Sequence, residues 1–193
     1  LQAPIGLAFV NATVLGNEGL VRLWRWPALR AWAILLLGAM LASAMLTFVR
    51  SGHPLAAWMA LVLPSAFGVH GALLRLEEAS CGALPERSAD DLPPQLIPMR
   101  HLGSWWLLVW LVPAELGWQV EQAVPGVDLW PWVIWTLAVA MALAGALLGR
   151  ARGRWPFASP LARYVPLGIA PLVVGLVLLL VDGNSRLSGS GSG

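Results

Sequence analysis

Residues 129–149 read LWPWVIWTLAVAMALAGALLG and contain no charged side chain. A helix that crosses about 30 Å of hydrocarbon needs about 20 consecutive, mostly apolar residues, and this stretch meets both conditions. Because every unpaired backbone amide in lipid costs free energy, a spanning segment of this length must be an α-helix. The stretch therefore predicts a membrane-spanning helix.

The composition of the whole chain agrees with that prediction. Of 193 residues, 58% are hydrophobic and 11% are charged, whereas a soluble domain has roughly 45–50% apolar and about 25% charged residues. These proportions exclude a soluble globular domain, and the mean hydropathy of +0.72 excludes a disordered chain. The bilayer is the expected surrounding of this protein.

The charged residues argue against nucleic acid and against a metal site. All 12 basic residues are arginines, and they stand singly or in short groups between long apolar runs. A nucleic-acid-binding surface needs basic residues clustered on one polar face, so we expect no nucleic-acid partner. The single cysteine, Cys81, forms no internal disulfide and builds no cysteine-based metal site, so we expect no metal.

Six apolar stretches set the expected fold. Five are clear, and a weaker one at 4–21 is interrupted by Asn11, Asn17 and Glu18, so it is either a sixth span or an interfacial helix. We predict an all-α integral membrane protein, a polytopic bundle of five or six transmembrane helices kinked by prolines. The predicted spans are 4–21, 28–49, 55–75, 103–123, 129–149 and 162–181. The prolines in or near span interiors are Pro64, Pro113, Pro166 and Pro171.

Residues 1–187 are expected to form one transmembrane domain. Within it, 76–102 is the longest polar connection, a cytoplasmic loop that is a candidate contact for a partner protein. The final residues 188–193, SGSGSG, are typical of an engineered flexible linker.

The arginines also predict an orientation. With six spans, ten arginines lie on one side and two, Arg50 and Arg186, on the other. By the positive-inside rule the larger group is cytoplasmic, so both termini are expected outside. The Ala-, Gly- and Arg-rich composition without lysine is typical of a GC-rich bacterial genome, which places the chain in a bacterial plasma (inner) membrane. The arginines of the larger group are Arg22, Arg25, Arg30, Arg75, Arg87, Arg100, Arg150, Arg152, Arg154 and Arg163.

Two further patterns concern the helix surfaces. Tryptophans at the predicted span ends, among them Trp105, Trp106 and Trp132, are expected to be lipid anchors. Small residues that recur every fourth position permit close helix packing, although an alanine-rich composition gives the same spacing. These small residues are Gly38 and Ala42, and Ala138, Ala142 and Ala146.

Ionisable residues within hydrocarbon cost about 2.5–3.5 kcal/mol each or more, so they are functional candidates. Glu18, His70 and Glu115 are the three that stand out. At 1.5 Å of rise per residue, Asn11 and Glu115 fall near mid-membrane, and Glu18 and His70 fall nearer the cytoplasm. These depths predict two polar layers.

Glu115 and Gln119 lie one helical turn apart and predict a polar stripe on one span. Burial raises the pKa of a carboxyl group, so Glu115 is a candidate to hold or pass a proton near neutral pH. The alternative is a structural role, in which a protonated Glu115 bonds Asn11 or a backbone carbonyl.

His70 has Gly68 and Gly71 beside it, so a ligand or another helix can approach closely. Bis-histidine haem is disfavoured, because the other histidines, His53 and His101, fall at the membrane edges. Two cofactor hypotheses stay open for His70, a single axial haem ligand and a hydrogen-bond partner of a quinone, and a packing role is favoured over both. That packing role is a contact with Glu18.

The stretch from Ala42-Ser43 to Ser51-Gly52-His53-Pro54-Leu55-Ala56-Ala57-Trp58 resembles part of the membrane anchor subunits of the dimethyl-sulfoxide-reductase type. This resemblance covers less than a tenth of the chain, and the matching stretch contains extra residues relative to the anchor pattern. The anchor subunits are also longer than this chain. It implies a membrane anchor that oxidises quinol.

Three functions fit the sequence. The first is an integral subunit of a larger membrane complex, a quinone- or proton-handling anchor without catalytic activity as an isolated chain. The second is a transporter or channel component for protons or small solutes, assembled as a homo-oligomer. The third is an intramembrane lipid-modifying enzyme, although the sequence contains no H-E-x-x-H, G-x-S-x-G or P-loop motif. The expected partners are the lipid bilayer and either other subunits or further copies of the chain.

Overall fold

The computed structural model describes residues 2–24, 32–83, 96–125, 129–158 and 165–189. Within these ranges the regular structure is entirely helical, which confirms the predicted all-α architecture for the described part of the chain. The elements are α1 (Gln2–Trp24), α2 (Trp32–Ser51), α3 (Met59–Ala83), α4 (Leu96–Ala123), α5 (Leu129–Ala151), a π-helical turn (Val165–Ile169) and α6 (Ala170–Gly189).

Among the described residues, three helical stretches are long and apolar enough to cross a membrane. They are Met59–Ala79, Leu129–Ala151 and Leu167–Ser185. Two further apolar helical stretches, Pro4–Gly16 and Leu35–Ser51, are shorter. These findings support a helical membrane protein, and the predicted total of five or six spans goes beyond them.

Helices α3 and α4 extend beyond the predicted spans 55–75 and 103–123. α3 continues to Ala83, and α4 already begins at Leu96, so much of the predicted loop 76–102 is helical. Its middle, with Glu86, Asp90 and Asp91, lies outside the described residues. The two extensions bring charged residues into regular helix, where their positions are fixed relative to the buried faces.

The predicted proline positions fall inside helices or at a helix start. Pro64 lies within α3 and Pro113 within α4, and both helices continue beyond them. Pro171 is the second residue of α6 and lacks the N–H that would bond the Leu167 carbonyl in an α-helix. Trp106 Nε1 donates a hydrogen bond to this carbonyl, with a distance of 3.2 Å. A neighbouring helix therefore supplies a donor where proline removes one.

The chain divides into two compact units, Leu1–Ser104 and Trp105–Gly193, and the division falls within α4. In the first unit, α1, α2 and α3 pack against one another. Their buried side chains recur at helical spacing, so each helix presents one apolar stripe to the core. The stripes include Leu7 and Val14 of α1, Leu36, Met40 and Ala44 of α2, and Met59, Leu63 and Ala66 of α3.

In the second unit, α5 packs against α6. Trp132 of α5 donates a hydrogen bond from Nε1 to the Leu179 carbonyl of α6, with a distance of 2.8 Å. Its indole lies on Gly183, and a Cβ atom at that position would overlap the ring. Trp106 and Trp132, predicted as lipid anchors, thus also join elements within the protein.

The small residues have different environments. Ala146 is fully buried, whereas Gly38 and Ala42 are exposed, and a Cβ atom at Gly38 would meet nothing within 4 Å. The fourth-residue spacing of Gly38 and Ala42 therefore does not mark a helix contact among the described residues of the first unit.

Candidate functional site

Five ionisable side chains gather where α3 meets the first turns of α4, within the first unit. Four of them are at most 9% exposed and Glu78 is 16% exposed. We call this group the polar cluster. Its members are His70, Glu77 and Glu78 of α3 and Arg100 and His101 of α4.

The helical repeat positions the α3 members. His70 lies eleven residues after Met59, and Glu77 lies seven residues after His70. These spacings are close to whole numbers of turns, so both polar side chains fall on the stripe that carries the apolar core. The core face of α3 therefore becomes polar towards its C-terminal end.

Arg100 and Glu77 form a buried ion pair. Nη1 of Arg100 donates to both carboxylate oxygens of Glu77, at 2.7 Å to Oε1 and 2.6 Å to Oε2. Among the described residues, Nε and Nη2 of Arg100 have no hydrogen-bond partner. The guanidinium therefore keeps donors available after pairing with Glu77.

His101 and Glu78 form a second close pair, with 2.9 Å between His101 Nε2 and Glu78 Oε1. Burial lowers the pKa of His101, the Glu78 carboxylate opposes that shift, and the positive charge of Arg100 adds to it. The net effect is a lowered pKa of His101.

His70 is 1% exposed, and among the described residues its ring nitrogens make no hydrogen bond of regular geometry, although the backbone of Arg100 is close enough to act on the ring as a hydrogen-bonding group. The backbone of Arg100 lies beside the ring, and the charges of Arg100 and His101 act on it. Buried polar groups are almost always hydrogen-bonded in folded proteins, so an imidazole without a regular hydrogen bond requires an explanation. A bound ligand would provide one.

The cluster thus combines donors and acceptors in one buried place. Within the described ranges, Arg100 and His70 offer nitrogen atoms without a regular hydrogen bond, and Glu77 and Glu78 contribute carboxylates. This set can bind a carbonyl or anionic oxygen, and it can take up and pass protons. Among the described residues, no group of three histidine, cysteine, aspartate or glutamate side chains is placed to hold a metal ion.

The structure places the predicted site residues in both units. Gln119 Nε2 donates to Oε1 of the buried Glu115 at 2.8 Å, so these two side chains are brought together in the second unit. Asn11 and His70 are both buried in the first unit, and Oδ1 of Asn11 has no hydrogen-bond partner among the described residues. The side chain of Glu18 lies outside the described residues. The predicted layers of Asn11 with Glu115 and of Glu18 with His70 therefore stay predictions.

Sequence reasoning missed four members of the cluster, because it assigned Glu77, Glu78, Arg100 and His101 to a loop or to the membrane edge. The sequence nevertheless contains a pattern that could have predicted the cluster. Two adjacent acids begin the connection 76–102, and two adjacent basic residues end it. When the flanking helices form a hairpin, these ends meet, and opposite charges there can pair.

The second unit contains an apolar groove of about 330 Å³ between α4 and α5. Its volume lies at the lower end of the range of about 300–1,000 Å³ found for ligand pockets. The groove is lined by Trp105, Leu108, Val109, Val112, Pro113, Leu116, Ile134, Leu137, Ala138, Met141 and Ala142.

Comparison with known proteins gives no match, whether to protein-family models, to curated proteins or to solved structures.

Proposed function

We propose that this chain is an integral subunit of a larger bacterial membrane complex and that its polar cluster handles protons and a quinone. The observation that carries this proposal is the clustering of five ionisable groups, four of them buried, around a His70 ring that makes no regular hydrogen bond among the described residues. In this proposal the six described helices all cross the membrane, and both termini lie outside.

The energetic cost of the cluster supports a functional role. Ionisable groups buried in a protein are expensive, and buried polar atoms without hydrogen bonds destabilise a fold further. Apolar residues of similar size would pack at the same positions without these penalties. Retaining two carboxylates, two imidazoles and a guanidinium here is best explained by chemistry.

The donor and acceptor set fits a quinone headgroup. A ring N–H of His70 and the Arg100 nitrogens without a hydrogen bond to the described residues can donate to carbonyl oxygens, and the Glu78 carboxylate can accept a proton. Oxidation of a quinol supplies two protons and two electrons. In this proposal the protons pass to Glu78 and the neighbouring imidazole, and the electrons pass to a redox-active metal centre of a partner subunit.

Quinol oxidation requires an electron acceptor, so the proposal assigns this chain a subunit role rather than that of an independent enzyme. A membrane anchor of this kind supplies the binding place and the proton path, and its partner supplies the redox centre. This division of labour accords with a sequence that lacks familiar hydrolase and nucleotide-binding motifs.

The experiment is purification of the tagged full chain from native membranes, followed by identification of the bound chains and an absorption spectrum. Oxidation of a soluble quinol analogue is then compared in complexes that carry Glu78→Gln or Glu121→Gln. Glu121 is exposed on α4 and is the matched control. We expect a loss of about a hundredfold for Glu78→Gln, within the usual contribution of an acid–base group, and no loss for the control.

Assembly of each variant is measured by the yield of co-purified chains. Full turnover of an assembled Glu78→Gln complex would exclude Glu78 as a proton acceptor. Purification of the chain as a homo-oligomer alone, with solute or proton flux in liposomes, would instead support a transporter.

A further inference from the structure

The end of α5 has a defined geometry that presents arginines. The N–H of Arg154 donates to the Gly149 carbonyl at 2.8 Å, and the N–H of Gly153 donates to the Arg150 carbonyl at 3.0 Å. These nested bonds, with a φ of 61° at Gly153, form a Schellman motif. The helix therefore ends at a fixed position, immediately after an apolar span and among three arginines.

Arg152 lies on the same side of α5 as the apolar groove. Its N–H donates to the Leu148 carbonyl at 3.0 Å, so the α-helical repeat continues to this residue. Arg152 follows Ile134 by eighteen residues, which is five full turns. Ile134 lines the groove, so Arg152 stands in line with the groove beyond its end.

Aromatic contacts place one end of the groove beside these arginines. Trp105 lines the groove and meets Phe157 edge to face, with ring centroids 5.2 Å apart and an interplanar angle of 87°. The Phe157 ring also lies against Gly149, where a Cβ atom would overlap it. Gly149 is one residue from Arg150. The end of the groove at Trp105 and the arginines therefore lie at about the same height along α5.

The charge at this end has one sign. Arg150, Arg152 and Arg154 are all exposed, and residues 129–158 contain no aspartate or glutamate. Arginines at a membrane boundary attract anionic lipid headgroups, and the planar guanidinium pairs well with phosphate oxygens. The apolar groove instead favours the hydrocarbon part of a lipid, because its lining is almost entirely apolar.

We propose that this groove and the adjacent arginines form a binding site for one anionic phospholipid. The acyl chain lies between α4 and α5, and the phosphate pairs with Arg152 and its two arginine neighbours. The groove extends from Trp105 to Leu116 on α4, which is about 16 Å at 1.5 Å per residue and suits most of one acyl chain. The site is independent of the polar cluster, because its residues belong to the second unit.

The test is native mass spectrometry of the full chain in detergent with added phosphatidylglycerol or phosphatidylcholine of identical acyl chains. The wild type is expected to retain phosphatidylglycerol preferentially. The triple variant Arg150→Gln/Arg152→Gln/Arg154→Gln should lose that preference, roughly tenfold or more. Ala138→Phe, which fills the groove, should lower retention of both lipids. Arg50→Gln, an exposed arginine at the end of α2, is the matched control and should change nothing.

Three results would overturn the proposal. They are equal retention of the two lipids by the wild type, an unchanged preference in the triple variant, and displacement of phosphatidylglycerol by inorganic phosphate but not by chloride of the same ionic strength. The last result would indicate an ion site without a lipid.

If the variants fold poorly, the wild type still gives an answer. Phosphatidylglycerol brominated in the acyl chain should quench tryptophan fluorescence more than brominated phosphatidylcholine does, and Trp105→Phe should remove that difference. Equal quenching by the two lipids would count against the site.

Discussion

Nη1 of Arg100 contacts both carboxylate oxygens of Glu77, at 2.7 and 2.6 Å, although 23 residues separate the two in sequence. The pair joins α4 to α3 inside the first unit, and both side chains are buried. Burial makes the two charges dependent on each other, because removing either one leaves the other without compensation in an apolar surrounding.

Arg100→Met should therefore destabilise the protein by about 3–5 kcal/mol, because the Glu77 charge is left buried and unpaired. The double variant Arg100→Met/Glu77→Met should recover most of this loss, since it removes both charges. Unfolding of the purified chain in detergent measures both free energies. Arg50→Met, at an exposed position, should change stability by less than about 0.5 kcal/mol. Equal destabilisation in the single and double variants would show that the charges do not interact.

His70→Leu should leave the free energy of unfolding unchanged or raise it. The reason is that two buried ring nitrogens without regular hydrogen bonds to the described part of the chain cost free energy, and leucine removes them. The same variant should lose quinol-linked turnover in the assembled complex, if the proposed function holds. Separate measurements of unfolding and turnover distinguish the two effects. A destabilisation above about 1 kcal/mol would assign His70 a structural role instead.

Gly183→Ala should destabilise the second unit by roughly 1–3 kcal/mol, because the added Cβ atom meets the Trp132 ring. The control is Gly175→Ala in the same helix, where a Cβ atom has no neighbour within 4 Å. That substitution should stabilise the helix by about 0.5–1 kcal/mol, since alanine has less conformational entropy to lose than glycine. Thermal unfolding in detergent compares the pair, and effects of the same sign would contradict the packing described.

Glu115→Gln should change stability by less than about 1 kcal/mol, because the amide oxygen still accepts the hydrogen bond from Gln119. The substitution removes the ability to ionise and replaces one carboxylate oxygen by an amide nitrogen. Loss of turnover or of proton movement in this stable variant would therefore assign Glu115 a role in proton handling. A large loss of stability would instead mean that the carboxyl group is needed for folding.

The fold class was predictable from residue type alone. Long apolar runs such as 129–149 specify helices in lipid, and α5 (Leu129–Ala151) agrees with that prediction closely. Prolines did not obscure it, because helices continue through Pro64 and Pro113. Hydrophobicity acts locally, so a sliding window along the sequence captures it.

The polar cluster was not predictable in the same way. A hydropathy window ends at charges, so it placed Glu77 and Arg100 outside the spans, although pairing between helices allows both to be buried. His70 was recognised from its apolar neighbours, but its proximity to Arg100 depends on how α3 and α4 meet. The sequence did not identify Gly183 as a packing position. Its contact with the Trp132 ring depends on how α5 and α6 pack, which the sequence around Gly183 does not show.

The fit of Trp132 on Gly183 favours the axial alignment of α5 and α6 that the structure shows. Sliding one helix past the other by one turn would bring Leu179 beneath the indole, where a branched side chain would take the place of a hydrogen atom. A shift in this direction therefore requires the two helices to separate first.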